Sequence, residues 1–136
     1  MTQAVEGGVR MVLRLEGMAL LLLAAFAYAH WKTDMGWTWG WFAGCFFAPD
    51  LAFAAYLLGP RVGAVGYNLT HSLIGAVACL LVGMAATSGI WMAAGLIWCA
   101  HIGFDRALGY GLKYGAGFGF THLGRIGRQG AVRGGD

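Results

Sequence analysis

The chain has 136 residues, of which 59% are hydrophobic and only 11% are charged, and its mean hydropathy is +0.64. A chain of this composition has too few polar side chains to cover a soluble globule, so it is expected to form a single domain within a lipid bilayer. Its net charge of +3 gives no indication of nucleic-acid binding. Its three cysteines lie apart in apolar segments, which indicates neither a disulfide framework nor a zinc ribbon.

Four apolar stretches have about the 20-residue length that crosses a bilayer as a helix. The predicted spans are residues 11–28, 35–58, 62–86 and 90–110. Short turns connect them, the first at residues 30–34, and residues 111–136 form a basic, glycine-rich tail too polar to be another span. The sequence therefore predicts an all-α fold, a four-helix transmembrane bundle with short loops.

The first span also has features of a cleaved signal peptide ending near residue 29. Arg10 and Arg14 resemble its charged region, and Ala27-Tyr28-Ala29 resembles its cleavage site. Glu16 argues against this alternative, since a signal peptide gains nothing from an acid there.

The second span combines a row of small residues with a helix breaker. Gly36, Gly40 and Gly44 recur every four residues, a spacing that lets another helix approach closely in lipid. We therefore expect a homo-oligomer or a larger membrane complex to form through this glycine stripe. Pro49 interrupts the backbone hydrogen bonds, which leaves Asp50 beside a freed carbonyl.

The basic residues predict the orientation. Four spans joined by short turns alternate in direction, so one side of the membrane collects all the basic residues except Lys32. The eight on that side are Arg10, Arg14, Arg61, Arg106, Lys113, Arg125, Arg128 and Arg133. By the positive-inside rule this side is cytoplasmic, which places the protein in the cytoplasmic (inner) membrane with both termini inside.

The same alternation places ionisable residues from every span in the cytoplasmic leaflet. At about 1.5 Å of rise per residue they lie about 7 to 14 Å below the surface. They are Glu16, Asp50, His71, His101 and Asp105, with His122 in the tail above them. Such groups are costly in hydrocarbon and indicate a functional site, so we expect a common polar cavity.

Carboxylates and imidazoles are ligands for Zn, Mn or non-haem Fe, and four-helix bundles hold such metals between their helices. The six residues are therefore predicted metal ligands, and Asn68, Arg106 and Lys113 are predicted polar support. The spacing of His101 and Asp105 keeps both on one helix face. With an open coordination position, the metal would support hydrolysis or oxidation of a lipid-like substrate.

Three alternatives remain open. The polar residues of a non-catalytic accessory subunit would only hold its helices together. A small ion- or proton-coupled transporter would bind a cation with the same acids and imidazoles, and four spans would require a dimer. Haem held between His71 and His101 is the third, but it does not require three acids nearby.

Several short segments resemble a family of small bacterial integral membrane proteins, the domain of unknown function family 4260. The resemblance covers most of residues 11–127. Its most specific part is HIGFDRALGYGLKY at residues 101–114; the others are Arg14-Leu15-Glu16-Gly17, Pro49-Asp50-Leu51, Gly59-Pro60-Arg61-Val62-Gly63, Tyr67-Asn68-Leu69 with His71, and THLGRIG at 121–127. The resemblance implies a compact multi-span fold and brings no activity, substrate or cofactor with it.

Overall fold

The computed structural model describes residues 5–115 and 119–125, and these residues form an all-α fold with four helical segments. The elements are α1 (Gly7–Met35), α2 (Trp39–Cys45), a 3₁₀ helix (Ala48–Leu58), α3 (Pro60–His71), α4 (Leu73–Ala85), α5 (Gly89–Leu108), β1 (Phe120–Thr121) and β2 (Gly124–Arg125). The strands form a two-residue antiparallel hairpin in the tail. The predicted all-α class is confirmed.

Three helical segments are long and apolar enough to cross a membrane, which points to a membrane protein. They are Gly7–Met35, Trp39–Leu58 and Pro60–Ala85. The fourth segment, α5, has 20 residues, and half of them are buried. Because α1 and α4 both pack against it, α5 is the central helix of the structure.

The first helix is longer than the sequence predicts. Residues 30–34, the expected turn, are helical, and α1 continues to Met35. Gly36 then ends the helix in the left-handed conformation (φ 70°), and its N–H bonds to carbonyls of the last turn. Since glycine adopts this conformation without steric cost, Gly36 is well suited to the C-cap at which the helix stops.

The second and third helical segments are both interrupted. In the second, the α-helix ends at Cys45 and the chain continues as a 3₁₀ helix with Pro49 in its first turn. In the third, Ser72 is extended (φ −85°, ψ 149°) and separates α3 from α4. The interruption near Pro49 agrees with the predicted kink, whereas the one at Ser72 divides a span that was expected to be continuous.

Close backbone contact joins α1 to α5. A Cβ on Gly103 would lie 2.6 Å from the Leu21 nitrogen and 2.7 Å from the Gly17 oxygen. A Cβ on Gly17 would in turn collide with Arg106. The two glycines therefore allow an approach that larger residues would prevent.

The predicted glycine stripe does not pack in this way, and it is divided between two elements, because Gly36 caps α1 whereas Gly40 and Gly44 belong to α2. A Cβ on Gly36 or Gly44 would meet nothing within 4 Å among the described residues, and one on Gly40 would meet only the Thr38 hydroxyl, at 3.4 Å. All three are exposed on the monomer.

Candidate metal centre

Four of the predicted ligands converge where the two interrupted segments meet α5. Asp50 lies at the start of the 3₁₀ helix, His71 is the last residue of α3, and His101 and Asp105 lie one turn apart on α5. Each offers one ligand atom, and these four atoms lie within 4.8 Å of one another. The two histidines are fully buried, whereas the side chain of Asp105 is 12% exposed and that of Asp50 30% exposed.

Short distances connect nitrogen and oxygen atoms across this group. His71 Nε2 lies 3.0 Å from Asp50 Oδ1 and 3.3 Å from Asp105 Oδ2. His101 Nε2 lies 3.2 Å from Asp50 Oδ1 and 3.4 Å from Asp105 Oδ2. The two Nε2 atoms are 3.1 Å apart. Five pairs of potential metal-binding atoms are therefore separated by nearly the same distance.

This spacing matches the edges of a tetrahedron around a small cation. Bonds of about 2.0 to 2.1 Å from zinc to nitrogen or oxygen place neighbouring ligands about 3.3 to 3.4 Å apart. The five distances lie between 3.0 and 3.4 Å, so a small inward or outward movement of side chains suffices to fit a metal.

Contacts with its own helix fix the orientation of the His71 ring. Its Nδ1 lies 2.9 Å from the Tyr67 carbonyl oxygen and 2.8 Å from the Thr70 hydroxyl, and its ring stacks on the Tyr67 ring at 3.7 Å with an 8° angle between planes. In the neutral tautomer with the proton on Nδ1, this nitrogen donates to the carbonyl and Nε2 presents a lone pair to the group. This arrangement is common for metal-bound histidine.

Aromatic side chains surround His101. Phe46 and Phe47 meet its ring edge-on, at 5.4 and 6.0 Å between ring centres. Its Nδ1 is buried and has no hydrogen-bond partner among the described residues. The polar contacts of this ring therefore lie on its Nε2 side, toward His71 and the two carboxylates.

Side chains from α5 stabilise the break after His71. The Trp98 indole N–H donates to the Thr70 carbonyl at 2.5 Å, and Arg106 Nη2 donates to the His71 carbonyl at 3.0 Å. The Thr70 hydroxyl donates to the Pro49 carbonyl at 3.1 Å, which links the two interruptions. Backbone groups that the breaks leave without helical partners thus gain partners elsewhere.

Two of the predicted supporting residues connect the group to the tail. The Asn68 side chain donates to the Lys113 carbonyl at 2.8 Å and accepts from its N–H at 2.7 Å. The Lys113 ammonium lies 4.9 Å from the centre of the Tyr67 ring, on which His71 stacks. Burial lowers the pKa of Lys113 to about 8.

Two predicted ligands lie outside the group. Glu16 is exposed on α1. His122 belongs to the tail hairpin, where its Nδ1 accepts the Leu112 N–H at 2.9 Å and its carbonyl accepts the Val5 N–H at 2.9 Å. The structure therefore makes His122 a contact between the tail and the start of the chain.

Acid is expected to loosen this tail contact. Burial and the nearby Arg106 lower the pKa of His122, and its Nδ1 accepts a hydrogen bond only while unprotonated. The contact therefore stabilises the folded protein fully above pH 6.5, about the pKa of an imidazole in the unfolded chain. It weakens as the pH falls through the lower pKa that His122 has in the folded protein. Hydrogen exchange of the Leu112 amide, after correction for the intrinsic pH dependence of exchange, should be faster at pH 5 than at pH 7.5. His122→Asn should remove this dependence, and exposed His30→Ala should retain it.

Sequence reasoning missed Tyr67 and Trp98, which hold His71 and the break beside it. The four-residue spacing of Tyr67 and His71 was a usable signal, because it places both rings on one helix face. Nothing local to Trp98 indicates that its indole bonds to a carbonyl of another helix.

Comparison with known proteins identifies a family. No curated protein and no solved structure matches the chain. The model of the family described as Domain of unknown function (DUF4260) matches residues 10–126, so the chain belongs to that family.

Proposed function

We propose that the protein is a membrane metalloprotein in which Asp50, His71, His101 and Asp105 bind one divalent cation. The observation that carries the proposal is the convergence of His71 Nε2 with two carboxylate oxygens at 3.0 and 3.3 Å. An unprotonated nitrogen and carboxylate oxygens at this separation repel one another unless a proton or a metal cation lies between them. Burial increases this repulsion, because the effective dielectric constant is lower there than in water.

Charge balance supports the same assignment. Two ionised carboxylates contribute two negative charges, and a divalent cation bound to them and to two neutral imidazoles leaves the group neutral. An uncompensated buried charge is strongly destabilising, so a neutral group suits a site enclosed by apolar helices.

The donor set and spacing favour zinc among the predicted metals Zn, Mn and Fe. Two imidazoles and two carboxylates suit zinc, and the distances fit its tetrahedral geometry. Asp50, the most exposed member of the group, marks the side from which water or a substrate can approach. Zinc that accepts such an additional ligand would support metal-assisted hydrolysis, the chemistry that we assign to the site, whereas oxidation would require the redox-active Mn or Fe.

Metal analysis tests the proposal. Protein purified in detergent and dialysed against Zn, Mn or Fe should hold about one equivalent of metal, measured by inductively coupled plasma mass spectrometry. His101→Ala removes one ligand and should lower the affinity at least a hundredfold, because even changes in the residues that support ligands cost about 10- to 100-fold. His30→Ala, an exposed histidine on α1, is the matched control.

The proposal fails if folded wild-type protein binds none of the three metals above the level of His101→Ala. A melting curve and a single size-exclusion peak for each variant would separate loss of the ligand from loss of the fold.

One observation favours cation transport as a second candidate. Asp50 and His71 both lie at helix interruptions, and transporters commonly bind ions where discontinuous helices meet within the membrane. Metal uptake into proteoliposomes separates the candidates. A transporter should show saturable metal uptake that Asp50→Asn abolishes. With an enzyme or a structural metal protein, uptake should not exceed the leakage measured for vesicles without protein.

The described contacts support the predicted orientation. At one end of the bundle, Arg14 donates to the Ala107 carbonyl, and Val5 bonds to His122. At the other end, a Cβ on Gly89 would lie 3.3 Å from the Trp37 indole nitrogen. The start of the chain and the described part of the tail thus share the end that holds most of the basic residues among those described. We assign that end to the cytoplasm, in the inner membrane, and bacterial origin stays a prediction.

The exposed glycine stripe supports an oligomer or a larger complex. Gly40 and Gly44 lie one turn apart on α2, with open space above Gly44 and only the Thr38 hydroxyl near Gly40, so a second helix can approach this face closely. We assign the stripe, with Gly40, to contact with another copy or another membrane protein.

A further inference from the structure

An apolar cavity of about 660 Å³, open to the surface of the monomer, lies between the second helical segment, the break in the third and the first half of α5. This volume is in the range of about 300 to 1,000 Å³ that is typical of small-molecule sites. Residues on all three sides include Trp41, Cys45, Pro49, Thr70, Ala94 and Trp98.

The lining favours a hydrocarbon ligand. The Thr70 hydroxyl bonds to the Pro49 carbonyl, and the Trp98 indole N–H bonds to the Thr70 carbonyl, so both polar groups already have partners. Most other lining side chains are aliphatic or aromatic. A ligand with polar groups inside the cavity would lose hydrogen bonds there.

The cavity extends along α5 toward the metal centre. Its lining on this helix runs from Ile90 to Trp98, which is about 12 Å at the α-helical rise, and stops three residues before His101. Its other walls include Pro49 and Thr70, each next in sequence to a residue of the metal centre. On α5, Ala94, Ile97 and Trp98 precede His101 by seven, four and three residues, so they lie on the same helix face as this ligand, and the cavity is directed along that face toward it.

We propose that the cavity holds the hydrocarbon chain of a single-chain amphiphile of the fatty-acid class, whose anionic oxygen head reaches the metal. This inference rests on the proposed function and names the substrate class of that site. The two parts of such a molecule match the two neighbouring environments: a chain without hydrogen-bonding groups for the cavity, and a carboxylate for a cation.

The head supplies most of the selectivity. Lipid tails are as apolar as the cavity lining, so moving a chain from the bilayer into the cavity gains little hydrophobic free energy. Affinity must then come from van der Waals packing and from the contact between head and metal. Binding should therefore depend on both the shape of the cavity and the presence of metal.

Photocrosslinking in phosphatidylcholine nanodiscs tests both dependences. The probe is a palmitate analogue with a diazirine in its chain, competed by unlabelled palmitate, and labelled peptides are identified by mass spectrometry. We expect saturable labelling in residues 41–49 and 90–98. Ala94→Phe fills the cavity and should raise the concentration of palmitate needed for half-maximal competition at least tenfold. Ala78→Phe, at an exposed position of α4 outside the cavity, should leave this concentration unchanged.

The metal arm separates this inference from the proposed function. Zinc should lower the concentration of palmitate needed for half-maximal competition at least tenfold in wild-type protein, and it should have no effect on this concentration in His101→Ala. Equal labelling of wild type and Ala94→Phe would show only bulk lipid at this face and would overturn the inference. Stoichiometric zinc without any change in palmitate affinity would also overturn it. Suppose that the protein binds no metal but that Ala94→Phe still lowers labelling. This result would support the site for the hydrocarbon chain and refute the metal centre.

Discussion

Exchanging both carboxylates of the metal centre for amides, in Asp50→Asn/Asp105→Asn, is expected to abolish stabilisation by metal without weakening the metal-free protein. Free metal at 100 times its Kd stabilises the wild type by about 2.7 kcal/mol, which corresponds to a rise in Tm of roughly 10 °C. The amides bind the cation poorly, so this rise should disappear. Without metal, the variant no longer contains the negative charges of buried Asp105 and partly buried Asp50, and its Tm should equal or exceed that of the wild type.

Melting curves with and without zinc or a chelator measure both effects. Glu6→Gln/Glu16→Gln removes two exposed carboxylates from the start of the chain and should respond to zinc like the wild type. A purely structural network of ion pairs would give the opposite result, because removing its carboxylates would lower the Tm of metal-free protein.

A leucine at Gly103 is expected to prevent α1 from packing on α5. Even a methyl group at this position would lie 2.6 Å from the Leu21 nitrogen, and the opposing atoms are backbone, so the helices must separate. Overpacking of this kind should cost about 3 kcal/mol or more. We expect little folded Gly103→Leu protein in a fluorescence-detected size-exclusion assay.

Gly44→Leu is the matched control for Gly103→Leu, since a side chain there meets nothing within 4 Å in the described part of the monomer. Its monomer should fold normally. If Gly103→Leu gives as much folded protein as Gly44→Leu, the close approach of α1 and α5 does not contribute to stability.

The sequence predicted the depth of the polar residues in the membrane better than the side of the helix on which each side chain lies. Alternating spans were sufficient to bring Asp50, His71 and His101 to one level of the bundle. Glu16 has a suitable depth on α1, but its neighbour Gly17 is the residue that faces α5. Successive helical residues point about 100° apart, so Glu16 is directed away from the group. Apolar residues surround this stretch of α1 on most sides, and hydropathy alone did not identify its buried face.

The helix break at Ser72 was not predictable from local sequence. Neither glycine nor proline occupies residues 71–73, and the conformation depends on Trp98 and Arg106, which bond to the preceding carbonyls from another helix. Pro49, in contrast, indicated the other interruption because it cannot donate a backbone hydrogen bond.

The stack of Lys113, Tyr67 and His71 joins the tail to a proposed metal ligand, and linkage between two sites is reciprocal. If ordering the tail on Tyr67 and Asn68 helps to hold the imidazole in its ligating orientation, a bound cation must hold the tail in place by the same free energy. A protein or lipid that pulls the tail away would then promote metal release. Metal binding would then raise the free energy needed to open the end of the molecule that we assign to the cytoplasm.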